Sequence, residues 1–232
     1  MLKQIVLLMI LVIFRQAVDQ TKDIFSYPFL MIQVTRFKCG GVCLGFRLCH
    51  KLADGTSYFH FINSWAEMTR GVPISIPPFF DRTTVDVGVP SSPTFPHIEY
   101  DPPPPMNSPA QNLGTISTAI LKLSPDQINT LKLKLKKDHG STINYSRFEI
   151  LAAHIWRCVC KARGLFHDQA SKLYVPVNGR TKLKPPIPSG YVGNVVFITT
   201  PVASSGDILS ESLSDTVERI HTELKQNVRS RY

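Results

Sequence analysis

Strands alternating with capped helices on both sides of a proline-rich stretch predict an α/β chain of two modules. Residues 42–49 alternate with period two, so Val42, Leu44, Phe46 and Leu48 share one strand face, and His50 continues it toward the core. Helix starts are legible at Ser124, with Pro125 at the first helical position and Gln127 completing a capping box, and at Ser146 with Glu149. Between the modules, Ser91-Ser92-Pro93, Pro96 and the run from Pro102 to Pro105 suit neither a helix interior nor a central strand, and read as an extended linker.

Taken in order, the chain opens with Lys3 and an apolar run from Ile5 to Phe14, which has the look of a short signal-peptide core but is too short to span a bilayer. No small-residue cleavage site follows in Gln16-Ala17-Val18-Asp19, and the alternative is that residues 1–13 are an aberrant start. After the strand, Asp54-Gly55 signals a turn, and Thr56 and Ser57 are the expected caps of a helix carrying Tyr58, Phe61, Ile62, Trp65 and Met68 at helical spacing. Beyond the linker come a strand over 115–123, a helix from Pro125 to about Asp138, and a helix from Ser146 to Gly164. The second helix is expected to face the core with Ile150, Leu151, Ile155, Cys158 and Val159. Strands over 173–177 and 195–202 and an amphipathic helix after Ser214 complete the second module. The divisions are therefore 1–89, a linker over 90–113, and 114–232.

With 232 residues, 43% hydrophobic and 19% charged, the composition is that of a globular chain, not a disordered or fibrous one. Five cysteines, at 39, 43, 49, 158 and 160, give neither an even disulfide framework nor zinc spacing, so reduced, buried thiols and no metal site are expected. Cys49 beside His50 is a poor nucleophile-base pair, because adjacent strand residues point to opposite faces. The net charge of +9 suits an anionic partner. Nucleic acid is not favoured: Lys132, Lys134, Lys136 and Lys137 lie on a helix whose other face carries Ile128, Leu131 and Leu135, which makes them a solvated face. Arg180, Lys182 and Lys184 instead cluster in a proline-containing loop, where a polyphosphate is a suitable ligand.

The segment from His50 to Gly55 places an imidazole four residues before a carboxylate, the constellation of a general base held in place. Alone, H-x-x-x-D is weak, since a lone histidine on an apolar face is more often hydrogen-bonded core. Trp65 and Trp156 read as core residues of helix faces and His154 as structural, and His60, His97, His139, His167 and His221 have no supporting constellation. The neighbours of His50 change the balance. Phe37-Lys38-Cys39-Gly40-Gly41-Val42 before it and His60 to Trp65 after it belong to an ordered series with Ile76 to Thr83, His97 to Pro104, Trp156 to Leu165 and Tyr191-Val192-Gly193-Asn194. The series resembles the plant BAHD family of coenzyme-A-dependent acyltransferases, in its hydroxycinnamoyl-CoA:shikimate/quinate branch, from about Ala17 to near the C-terminus.

That resemblance implies a chloramphenicol-acetyltransferase-like two-domain fold, here truncated at both ends, joined by a crossover loop. It implies His50 as general base for acyl transfer from coenzyme A to an alcohol, with no covalent intermediate and no cofactor, acyl-CoA being a substrate. Asp54 is implied to turn from the pocket and pair with Arg180, and Arg180, Lys182 and Lys184 to meet coenzyme A. A cytoplasmic protein, monomeric when complete and bound to neither membrane nor nucleic acid, is expected. The family's Asp-Phe-Gly-Trp-Gly motif does not occur, and relatives run to about twice the length. Two rivals follow: a member using a different alcohol or amine acceptor, and a non-catalytic truncated product that keeps at most coenzyme A or partner binding. An incomplete core is expected to expose apolar surface and aggregate.

Overall fold

The structure is a computed structural model describing residues 28–85, 98, 100–102, 118–139 and 144–230, with the side chains of 137–139 and 226–230 left aside. Most of the linker and all of residues 1–13 lie outside the described residues. Two compact units emerge: one from the described part of Met1–Val87 with Pro185–Val196, the other from that of Gly88–Lys184 with Phe197–Tyr232. The segment Pro185–Val196 thus returns to the first unit from far along the chain.

In the first unit, β1 (Leu30–Arg36) and β2 (Val42–Leu48) form an antiparallel hairpin, with Leu30 opposite Leu48 and Arg36 opposite Val42. The sequence reading supplies β2 but not β1, although Leu30, Ile32 and Val34 alternate in the same way. Helix α1 (Gly55–Thr69) meets this hairpin at Phe46. Its Tyr58 hydroxyl donates to the Phe46 carbonyl at 3.2 Å, and its Trp65 meets the Phe46 ring edge-on at 5.2 Å. Burial raises the Tyr58 phenol above its ordinary value. A 3-10 turn (Arg82–Val85) follows. The returning segment pairs in parallel with Phe79: Phe79 N donates to Gly190 O at 2.8 Å, and Val192 N to Phe79 O at 2.9 Å. Only glycine fits at 190, because a Cβ there would collide with the Pro77 carbonyl oxygen.

The second unit contains α2 (Pro125–His139), α3 (Arg147–Arg163), β3 (Ala170–Lys172), β4 (Val175–Asn178), β5 (Val196–Thr199, entering from the first unit at Val196), β6 (Val202–Ser204), α4 (Ser205–Ser210) and α5 (Leu213–Ser230). Strands β3 and β6 pair antiparallel, Ala170 opposite Ser204, and β4 pairs with β5. The strand expected over 173–177 is β4, starting at Val175, and the one expected over 195–202 is divided into β5 and β6 at Thr200-Pro201. Proline at 201 has no N–H to give a ladder. Residues 118–124 are not a strand: Leu121 is 90% exposed, and the segment pairs with no strand among the described residues. Residues 115–117 lie outside the description.

Both capping boxes form. Gln127 N donates to Ser124 Oγ at 3.2 Å and Ser124 N to Gln127 Oε1 at 2.8 Å. Ser146 and Glu149 bond reciprocally in the same way, and Gly164 closes α3 in the left-handed conformation, φ 56°. The face of α3 differs from expectation. Ile150, Ala153, Trp156 and Cys160 are buried, packing with Leu135, Ile208, Val217 and Ile220, whereas Ile155 is 54% exposed and Val159 and Cys158 are also exposed. Apolar residues run more than halfway round this helix, so periodicity admits more than one seam, and the large Trp156 side chain selects the seam it shares with Ile150 and Ala153. Its indole N–H donates to Ser171 Oγ at 2.8 Å. Of the five thiols, Cys160 alone is buried, so the expectation of buried cysteines fails for the other four.

Glu149 also joins α3 to α5. Its Oε1 lies 2.6 Å from Nδ1 of His221, against whose ring Tyr145 sits edge-on at 5.2 Å. Burial pushes the Glu149 carboxyl up, but bonds from Ser146 and His221 outweigh it and leave the carboxyl below its ordinary value. The depressed value stabilises the fold above about pH 4.5, and that contribution is lost as pH falls through the folded value. Urea unfolding at pH 7 and pH 3 is expected to show a smaller acid loss of stability in Glu149→Gln than in the parent chain; equal losses would remove Glu149 from the acid limb. The seam of α3 has its own test: Ile150→Ala should cost about 2–5 kcal/mol and Ile155→Ala under about 0.5 kcal/mol, read from urea midpoints at constant slope.

Candidate active site at the strand-to-helix corner

His50 stands just past β2 rather than within it. Cys49 N donates to Phe29 O at 2.8 Å, and Leu52 N donates to Cys49 O at 3.0 Å, closing a turn over 49–52. The period-two alternation therefore stops at Leu48, and its expected core face is not one: Val42 and Leu44 are 64% and 44% exposed, and His50 is exposed as well. Exposure at a corner is what a group that must meet substrate requires.

The carboxylate four residues later is buried, at 1% exposure, and caps α1. Ser57 N donates to Asp54 Oδ1 at 3.0 Å, and Val195 N donates to Asp54 Oδ2 at 2.9 Å. Asp54 is the N-cap in place of Thr56 or Ser57, because those residues already lie inside the helix that Gly55 begins. Ser57 acts differently: its hydroxyl lies 3.0 Å from Gly193 O and 3.2 Å from Tyr191 O as donor, and accepts from Gly193 N at 3.1 Å. Asp54 N donates to Gly193 O at 3.3 Å, Asn194 Nδ2 donates to His50 O at 2.8 Å, and Arg82 Nη2 donates to Leu52 O at 3.3 Å. The corner that carries His50 is thereby stitched to the returning segment on both sides. The sequence reading passed over Ser57 and Asn194 as parts of this arrangement; Asn194 was visible only as the end of the Tyr191-Val192-Gly193-Asn194 motif.

Arg180, Lys182 and Lys184 belong to the second unit, in the turn after β4. Arg180 is 4% exposed, and its backbone N and Nη1 lie 3.1 and 3.4 Å from Asn178 Oδ1. Lys182 N donates to Gly179 O at 2.9 Å, and both lysine side chains are exposed. The three cations thus differ in setting, one buried and two at the surface. Among the other histidines, His60 Nε2 lies 2.8 Å from the Ile76 carbonyl, His154 sits 3.8 Å from Cys158 Sγ, and His221 has the Glu149 partner that its sequence context did not reveal. Among the described residues no group of three His, Cys, Asp or Glu can hold a metal, and no helix is long and apolar enough to cross a membrane. An apolar groove of about 460 Å³, lined by Leu30, Leu48, Phe61, Trp65, Met68 and Ile74, opens beside α1.

Comparison with known proteins identifies the family to which this two-unit α/β chain belongs. The model of the transferase family matches residues 9–232. Shikimate O-hydroxycinnamoyltransferase of Nicotiana tabacum is 50% identical over 214 residues, 90% of this chain and 49% of its own length. Rosmarinate synthase of Plectranthus scutellarioides is 45% identical over 207 residues, 88% and 47% of the two chains. The crystal structure of F. graminearum TRI101 with coenzyme A and T-2 mycotoxin superposes with a TM-score of 0.70 at 20% identity, covering 93% of this chain and 49% of that one. This chain belongs to the transferase family of BAHD acyltransferases and has the chloramphenicol-acetyltransferase-like fold. It spans about half the length of the curated relatives it matches.

Removing the Asp54 carboxylate takes the cap from α1 and leaves Val195 N buried without this acceptor. Asp54→Ala should therefore lower unfolding stability by about 2 kcal/mol or more, and Asp54→Asn, which keeps one acceptor oxygen, by less. Chemical denaturation of the three chains checks the order; equal stability of Asp54→Ala and the parent would mean that the carboxylate braces nothing.

Proposed function

We propose that the protein is an acyltransferase that moves a hydroxycinnamoyl group from coenzyme A to a hydroxyl of shikimate or quinate, with His50 as general base. The observation that carries this reading is an exposed imidazole on a corner held from both sides, in a chain half identical to a shikimate O-hydroxycinnamoyltransferase. An alcohol is a weak nucleophile until its proton leaves, and a neutral imidazole is suited to accept it as the oxygen attacks the thioester carbonyl. The C–S bond then breaks, and the same proton passes from His50 to the departing coenzyme A thiolate. The thioester is already activated, so no covalent enzyme intermediate is needed.

Asp54 supports the site without touching the reacting atoms on this reading, since its two oxygens serve Ser57 and Val195. The exposed Lys182 and Lys184 suit the phosphates of coenzyme A together with Arg180, and the buried Arg180 is also proposed to support the site as the partner of Asp54. The cytoplasm, where acyl-CoA is available, is the proposed compartment. The acceptor is the finest part of the proposal: a relative of nearly equal identity bears the name of rosmarinate synthase, which makes another acceptor the second reading.

Thiol release from p-coumaroyl-CoA with shikimate, quinate or no acceptor tests the proposal on the folded, monodisperse chain. Release should depend on the acceptor and fall by about a hundredfold or more in His50→Ala. Acceptor-independent release, or equal rates in the variant, would overturn the role of His50. A folded chain that releases no thiol would be a non-catalytic member of the family.

A further inference from the structure

We propose that the apolar groove beside α1 is the docking site of the chain's own N-terminal run, Ile5–Phe14, which packs there and covers the first unit on that side. The groove holds about 460 Å³, and its lining is almost wholly apolar, from the paired Leu30 and Leu48 at one end of the hairpin along α1 to Met68. Two polar residues of the lining already have partners: the Ser57 hydroxyl bonds to Tyr191 O and Gly193 O, and His60 Nε2 lies 2.8 Å from Ile76 O. The groove therefore suits hydrocarbon and offers little to a polar or charged ligand. Met68 and Phe80 are 62% and 66% exposed on it, so apolar surface stands open to water until an occupant covers it.

The run Ile5–Phe14 carries no polar or charged residue, and Lys3 and Arg15 bracket it. Such a run is driven out of water and needs an apolar surface against it. The chain brings it to the groove, because only residues 15–29 separate it from Leu30, which is both the first residue of β1 and part of the lining. At about 3.4 Å per residue that tether extends to roughly 50 Å. With its 15 residues α1 is about 22 Å long, so every part of the groove lies within reach. Tethering also favours the run over a second copy of the chain. A segment linked at this distance presents itself at a concentration on the order of millimolar, above that of a second molecule in dilute solution. The volume agrees as well: a cavity of about 150 Å³ holds one benzene-sized group, so the groove takes about three large side chains from one side of the run.

Photo-crosslinking of the whole chain tests this, with p-benzoylphenylalanine replacing Leu8 in one variant and Leu11 in another. An excited benzophenone inserts into C–H bonds within its reach, and the Met68 side chain stands in the groove. At least one variant should give a product of monomer mass whose linked peptide contains Leu30, Leu48 or the part of α1 from Phe61 to Met68. Adding Ser64→Glu, which places a charge in the lining, should lower the yield of that product about fivefold or more while the far-ultraviolet circular dichroism stays that of the parent. Products of dimer mass would put a second copy in the groove. Capture of peptides outside the groove, or no capture in either variant, would put the run elsewhere, and a mature N-terminus beyond Phe14 would remove the occupant. Each of these results, or an undiminished yield with Ser64→Glu, overturns the proposal.

Discussion

A carboxylate removed from water must have its oxygens met by donors, or it costs more than the rest of a small unit can offset. Asp54 is such a group, and the way its demand is met organises the first unit. One oxygen takes the local donor that every helix start leaves open, Ser57 N, and the other takes Val195 N from a segment 141 residues away. The start of α1 and the end of the returning segment are thus fixed to one side chain. His50 lies four residues before that anchor, at the end of β2, and inherits its position from both.

Glu149 repeats the device in the second unit. Its side chain completes a capping box with Ser146 at the start of α3, then spends its other oxygen on His221 of α5. In each case a residue chosen for a local cap also carries a long-range bond, so the register of a helix along its own axis and its attachment to a distant element are set together. Around Glu149 the apolar core of Ile150, Ala153, Trp156, Val217 and Ile220 supplies the bulk of the burial. The polar bond selects which turn of α5 meets which turn of α3.

Capping residues were legible because their chemistry is local. Ser124 with Gln127, Ser146 with Glu149, and Gly164 after α3 each act within one turn, and all stand where the sequence places them. Asp54 was legible as important but not as a cap, since Asp-Gly serves turns and helix starts alike. The features that differ are ones that a partner elsewhere in the chain decides. A strand over 115–123 has suitable residues but nothing to pair with among the described residues, and β1 was passed over although it has a partner six residues away. The buried stripe of α3 was misassigned at Ile155 and Val159 because the neighbours, not the period, choose among its apolar positions.

The site divides along the same line. The sequence by itself determined the histidine, the carboxylate four residues on, and the family to which that spacing and its flanking motifs belong, because these are matters of residue type and short separation. Only the tertiary structure decided that His50 leaves the strand for an exposed turn, that Asp54 faces Ser57 and Val195, and that Asn194 reaches the His50 carbonyl. Those facts depend on bringing positions 140 or so apart into hydrogen-bond range. No pattern confined to one stretch of chain contains the information, since hydrogen-bond geometry is fixed by how the returning segment crosses Phe79 at Gly190, where the absence of a Cβ lets two backbones meet.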